Sequence, residues 1–118
     1  PFHTKLMPPA GDALAKRFAS EHFGEMETPV LFNCLGHEKA DSDSIPALLE
    51  KQVQSSVYME DTIRRLGELG ITDILEVGPG KALSGFVKKT LGVDVHCTAV
   101  ETAEELEAFL TSWKEAQA

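Results

Sequence analysis

Cysteine is scarce: Cys34 and Cys97 are the only two in 118 residues, far apart and each inside an apolar stretch. That excludes a disulfide framework and points to reduced thiols in the cytoplasm. Basic residues are also few, 11 Lys plus Arg against 19 Asp plus Glu, which leaves a net charge of −8. Phosphate contacts need a basic face, so nucleic acid is excluded as the main ligand, and an anionic membrane surface with it. No apolar run approaches the ~18 residues that a membrane-spanning helix needs. The first ten residues, PFHTKLMPPA, lack the apolar segment of a signal peptide. His3, His22, His37 and His96 have no metal-ligand spacing with one another or with a cysteine, so no metal site is expected.

What remains is the make-up of an ordinary folded chain, 42% hydrophobic and 25% charged. A chain of this length can bury roughly two-thirds of its unfolded surface, enough for one compact domain. It begins with Pro1 rather than Met, and Phe2, Leu6 and Met7 already have the apolar character of a domain interior. The expectation is a piece of something longer.

Hydrophobic periodicity alternates helices with strands. Pro8 and Pro9 suit a first helical turn, and Ala10, Leu14 and Phe18 fall on one face of a helix reaching about Glu21. PVLFNCLG (29–36) has the composition of a buried strand closed by Gly36, and His37–Ser44 of a polar loop. Asp41 to Ser44 offer N-cap oxygens before Pro46, and Ile45, Leu48, Leu49, Gln52 and Val53 form a helical stripe in which Gln52 alone is polar. A further helix over about 59–69 turns Met59, Ile63, Leu66 and Leu69 inward and stops at Gly70. Asp73–Val77 is a strand. Gly78-Pro79-Gly80 turns it into a helix from about Lys81 to Leu91, with Leu83, Phe86, Val87 and Leu91 inward. Val93, Val95, Cys97 and Ala99 alternate with polar residues as a third strand. Thr102 and Glu105 spell a capping box before a helix carrying Leu106, Phe109, Leu110 and Trp113. The order predicts an α/β chain with a mostly parallel sheet. Three strands are few for cover on both faces, which again points to strands upstream.

EVGPGK (76–81) is the most distinctive string. A strand, a Gly-rich turn and a helix start could cradle an anion on free N–H groups. Neither the P-loop spacing nor the dinucleotide fingerprint is met, so a structural turn is the favoured reading. Glu76 is expected to be a buried carboxylate with its hydrogen bonds satisfied. Lys81, Lys88 and Lys89 make a small basic spot in an acidic chain. His3 stands in an irregular segment, and no G-x-S-x-G nucleophile elbow accompanies it. Residue patterns alone reach a possible base without a nucleophile.

Taken together, PFHTKLM, PVLFNCLG, KQVQSSVYMEDT and EVGPGKALSGFVKK resemble the malonyl-CoA:acyl carrier protein transacylases, in that family's order and at about its spacing, over roughly residues 1–100. The resemblance implies that residues 1–118 are the C-terminal part of an acyltransferase domain, the end of an α/β-hydrolase-like large subdomain, without the N-terminal half that bears the nucleophile. It implies a ping-pong reaction. A serine of a GHSxG elbow takes malonyl from malonyl-CoA and passes it to the phosphopantetheine thiol of acyl carrier protein.

His3 matches the family's base, and the backbone carbonyl of Gln52, in the segment matching KQVQSS, would orient its ring. Phe2 matches the position whose bulk favours malonyl over α-branched acyl groups. No cofactor is implied, malonyl-CoA being a substrate; the partners are acyl carrier protein and the missing half of the enzyme, in the cytoplasm. The chain departs from the family at Ser56-Val57-Tyr58-Met59, where a proline before the valine and a later aromatic are usual. Its serine, its malonyl-pairing arginine and its oxyanion-hole residues all lie N-terminal to the base, so the isolated chain is expected to be inactive. Two competing readings are a noncatalytic carrier-protein-binding fragment docking through Lys81, Lys88 and Lys89, and an acyltransferase domain of a polyketide or fatty acid synthase.

Overall fold

The computed structural model describes residues 2–118. The chain divides into two compact units, one up to Arg65 and one from Leu66 on, with the division falling inside a helix.

The first unit opens with α1 (Pro8–Phe18), whose prolines occupy the first turn, where a missing N–H costs nothing. It ends three residues short of the expected Glu21, and Phe18 then meets Phe23 edge-on at 5.2 Å. α1 packs on α2 (Ile45–Gln52). Gly11, the buried residue of α1, lies against this helix end: a Cβ there would stand 3.7 Å from the Glu50 carbonyl, an ordinary contact, and 2.8 Å from Nε2 at the flexible end of Gln54. Ser44 caps α2 through Ala47 N–H, and Pro46 lies in its first turn.

The expected long strand over 29–36 is not formed. Only Leu31–Phe32 (β1) is strand, and it pairs antiparallel with His37–Glu38 (β2), which the sequence placed in a loop. A turn intervenes in which Leu35 and Gly36 both donate to the Phe32 carbonyl. Gly36 makes this possible. It sits at φ +75°, and a Cβ there would lie 2.7 Å from that of Asp61. The apolar residues of the string are buried all the same: Phe32 (3% exposed), Cys34 and Leu48 form the core of this unit, with Leu35 and Leu49 against them. α3 (Met59–Glu68) buries Ile63. Arg65 on α3 grips the Glu38 carboxylate with Nε and Nη2, at 2.9 Å each.

In the second unit β3 (Asp73–Val77) lies parallel to β4 (His96–Val100), in register from Asp73↔His96 to Val77↔Val100, with α4 (Ala82–Leu91) as the connection. β4 starts three residues later than the alternation suggested, and Val93 is 92% exposed. α5 (Ala103–Gln117) carries the expected capping box, with both reciprocal hydrogen bonds formed. The α/β class therefore holds, with the parallel pairing confined to β3 and β4. The inward stripes are met only in part. Val87 is buried, but Leu83, Phe86, Leu106, Leu110 and Trp113 remain well exposed, and so does Leu69 on the first turn after α3. A two-stranded sheet offers too narrow a face to cover them. Trp113 stacks on Phe109 at 5.9 Å. No helix among the described residues is long and apolar enough to cross a membrane.

Candidate functional site

Helix α2 leaves its last carbonyls without intrahelical partners, as every helix does. At this end two of them are taken by His3. The His3 N–H donates to the Val53 carbonyl at 2.9 Å, and the ring nitrogen Nδ1 lies 2.8 Å from the Gln52 carbonyl oxygen. A carbonyl oxygen only accepts, so the bond places the hydrogen on Nδ1 and leaves the lone pair of the neutral ring on Nε2. A ring held in that tautomer has the arrangement a general base requires. His3 has a φ of +62°, the one non-glycine residue with positive φ among those described. Such a conformation persists only where its surroundings impose it. The segment after it turns at once into α1, through Leu6 N–H to Thr4 Oγ1 and Met7 N–H to the Thr4 carbonyl.

Gln52 makes a second contact through its side chain, whose Oε1 accepts the Asn33 N–H at 3.0 Å. The Asn33 carbonyl accepts the Tyr58 N–H at 2.9 Å. The structure thus brings His3 and Gln52 together and leaves the Phe2 side chain 74% exposed. The Val53 carbonyl and the Asn33 peptide escaped the sequence reading. Main-chain groups leave no compositional trace, and the only signal was a glutamine on an otherwise apolar stripe.

The EVGPGK turn is arranged differently. Glu76, half-buried on β3, accepts from Leu83 N–H at 3.1 Å, Ser84 N–H at 2.8 Å and the Ser84 hydroxyl at 2.6 Å. The Ser84 hydroxyl and N–H hold its carboxyl below the usual range, as does Leu83 N–H. Gly80 N–H is taken by Glu101. Glu105 accepts from the N–H groups of Glu101 and Thr102, which lower its own titration. The helix start that could have cradled a ligand anion is filled by the protein's own carboxylates, so the structural reading of this string holds. Lys81 and Lys88, two turns apart, line one shallow cavity of about 280 Å³ together with Ser84, Gly85, Cys97 and Ala99; Lys89 is not part of it. Among the described residues no group of His, Cys, Asp and Glu could hold a metal ion.

No protein-family model matches the chain. A malonyl-CoA:acyl carrier protein transacylase of Bacillus subtilis is 33% identical over 115 residues, which is 98% of this chain and 36% of that protein. The crystal structure of a transacylase of the same name from Clostridium perfringens superposes with a TM-score of 0.86 at 33% identity, over 99% of this chain and 37% of the other. A malonyl-transacylase in complex with a type II polyketide acyl carrier protein superposes at 0.78 with 31% identity, over 92% of this chain and 35% of that one. The chain spans about a third of the length of the relatives it matches. In sequence and in fold alike, it is homologous to the C-terminal portion of the malonyl-CoA:acyl carrier protein transacylases.

Proposed function

We propose that this chain is the base-bearing C-terminal part of an acyltransferase that moves malonyl from malonyl-CoA to acyl carrier protein. The observation that carries the proposal is the His3 ring held at Nδ1 by the Gln52 carbonyl. In the reaction, Nε2 takes the proton of a serine hydroxyl as its oxygen attacks the thioester carbonyl. The C–S bond breaks, and the proton passes to the leaving CoA thiolate. The same nitrogen then takes the proton of the carrier protein's thiol. That sulfur attacks the serine ester, and the proton returns to the serine oxygen as the C–O bond breaks. No cofactor enters, and a cytoplasmic setting fits the two free thiols. The nucleophile is supplied by an N-terminal part that these residues do not include. Phe2, beside the base, narrows the acyl site in favour of malonyl.

The test has two arms. The 118-residue chain alone, given malonyl-CoA and holo carrier protein, is expected to transfer no more than its His3→Ala variant. Transfer above that level overturns the proposal. In the protein read from the coding sequence upstream of Pro1, an in-frame GHSxG is expected, and His3→Ala there should slow transfer by about 10²–10⁴-fold. Full activity in that variant overturns the role of His3.

The cavity between Lys81 and Lys88 favours a second role, docking of an acidic carrier protein. A salt-sensitive complex that Lys81→Glu and Lys88→Glu weaken is its expected sign, and a complex indifferent to both changes counts against it.

A further inference from the structure

We infer that the side chain of Gln52 is a positioning residue: by anchoring the end of α2 to the Asn33 peptide, it fixes the carbonyl that sets the tautomer of His3. The inference rests on the reading of His3 as the base and deepens it.

A carbonyl can hold a ring in one tautomer only if its own peptide stays still. The end of a helix is where peptides are least constrained, because the last carbonyls lack intrahelical partners and the last turn frays. Gln52 is the final residue of α2. Its carbonyl accepts from His3 Nδ1 at 2.8 Å and, at a longer 3.4 Å, from Ser55 N–H. Neither bond ties that peptide to the core. The side chain does.

Its Oε1 reaches the Asn33 N–H, in the turn between β1 and β2. That residue is held on both sides of its Cα, since the Asn33 carbonyl is bound to Tyr58 N–H at the head of α3. It also lies between Phe32 and Cys34, which pack with Leu48 in one buried cluster, and the Cys34 thiol contacts the Leu48 carbonyl one turn earlier in α2. One residue therefore joins the packed turn to the ring, through its amide on one side and its carbonyl on the other. The positive φ of His3 strengthens the case. A strained residue is kept in place by its two carbonyl partners, Gln52 and Val53, and both are at this helix end.

A side chain that acts in this way must be an acceptor of the right length; apolar bulk at the same position does not suffice. Gln52→Met keeps the shape and removes the acceptor. Gln52→Glu keeps the acceptor, because only Oε1 faces the Asn33 N–H. Both leave the backbone carbonyl in place.

The experiment is a long-range ¹H–¹⁵N correlation of the histidine rings in the 118-residue chain, recorded where His3 is neutral and assigned with His3→Ala. The wild-type ring is expected as the Nδ1–H form. Gln52→Met should lower the ratio of Nδ1–H to Nε2–H by about tenfold and expose the Asn33 amide to hydrogen exchange. Gln52→Glu should restore both. Gln52→Asn, a methylene too short to reach Asn33, should repeat the methionine result and serves if that variant does not fold. An unchanged ratio in the folded methionine or asparagine variant overturns the inference, as does a wild-type ring in the Nε2–H form or failure of glutamate to restore it. The readout involves no turnover. Activity surviving His3→Ala in the longer protein would remove the catalytic reading and leave the tautomer result standing.

Discussion

Two helix ends in this protein solve the same problem in opposite ways. At the start of α4 the orphan N–H groups are closed by carboxylates from the chain itself, Glu76 on Leu83 and Ser84, with Glu101 on Gly80 just before. At the end of α2 the orphan carbonyls of Gln52 and Val53 are both taken by His3, the first by its titratable ring and the second by its backbone N–H. The first arrangement leaves nothing for a ligand, although its glycine-rich string is the more conspicuous in the sequence. The second leaves a free nitrogen lone pair on a ring whose other nitrogen is engaged. The chemical promise of a helix end lies in what satisfies it, and the density of glycine around it is a poor guide.

The contrast can be broken from below. Phe32→Ala empties the core beneath the α2 end and should cost about 3–5 kcal/mol in urea unfolding. If His3 keeps its Nδ1–H form in the surviving folded protein, the α2 end does not depend on that core. Ser84→Ala removes one of the three donors on Glu76 and should cost about 1 kcal/mol. The Ser84 hydroxyl is the foremost cause of the low titration of Glu76, so its carboxyl should move back toward the ordinary range. A carbon-detected carboxyl titration reads this directly, and an unmoved Glu76 would mean that the backbone alone closes the α4 start.

A smaller effect is expected at the surface. Glu38 is held at about 2, chiefly by its hydrogen bonds to Arg65, against 4.5 for the free group. Its contribution is complete above about 4.5 and disappears as pH falls toward 2, because protonation breaks the pair. Glu38→Gln should flatten that part of the stability-against-pH curve; an unchanged curve would show the pair to be inert. Smallest of all, Leu110→Ala on the exposed face of α5 should change stability by about 0.5 kcal/mol or less. A loss as large as that of Phe32→Ala would show that α5 is as firmly packed as the first unit.

Most of the fold was legible in the sequence because it is written locally. Ser44, Pro46, Thr102 and Glu105 announced their helix starts, and β3 coincides with the string DILEV that the sequence marked as a strand. The β1–β2 hairpin was not legible. Its strands are two residues each, too short for any period, and its turn depends on Gly36 lying against Asp61, a contact distant in sequence. Periodicity also overstated burial. It identifies the apolar face of α5, but whether Leu106 and Trp113 are covered depends on how much sheet is there to cover them. At the site, His3 and Gln52 came from the resemblance to a family. The residues themselves offered a histidine in an irregular segment and one amide on an apolar stripe. The bonds that join them run through main-chain oxygen atoms, which no side-chain pattern records.

The pairing of Trp113 with Phe109 has a practical consequence. Trp113 is the protein's only tryptophan and lies in the second unit; Tyr58, its only tyrosine, lies in the first. Each unit thus carries its own natural chromophore. Tryptophan emission follows the melting of one, and tyrosine absorbance that of the other. A single denaturant titration on unlabelled protein, read at both bands, reports whether the two halves let go together or one after the other.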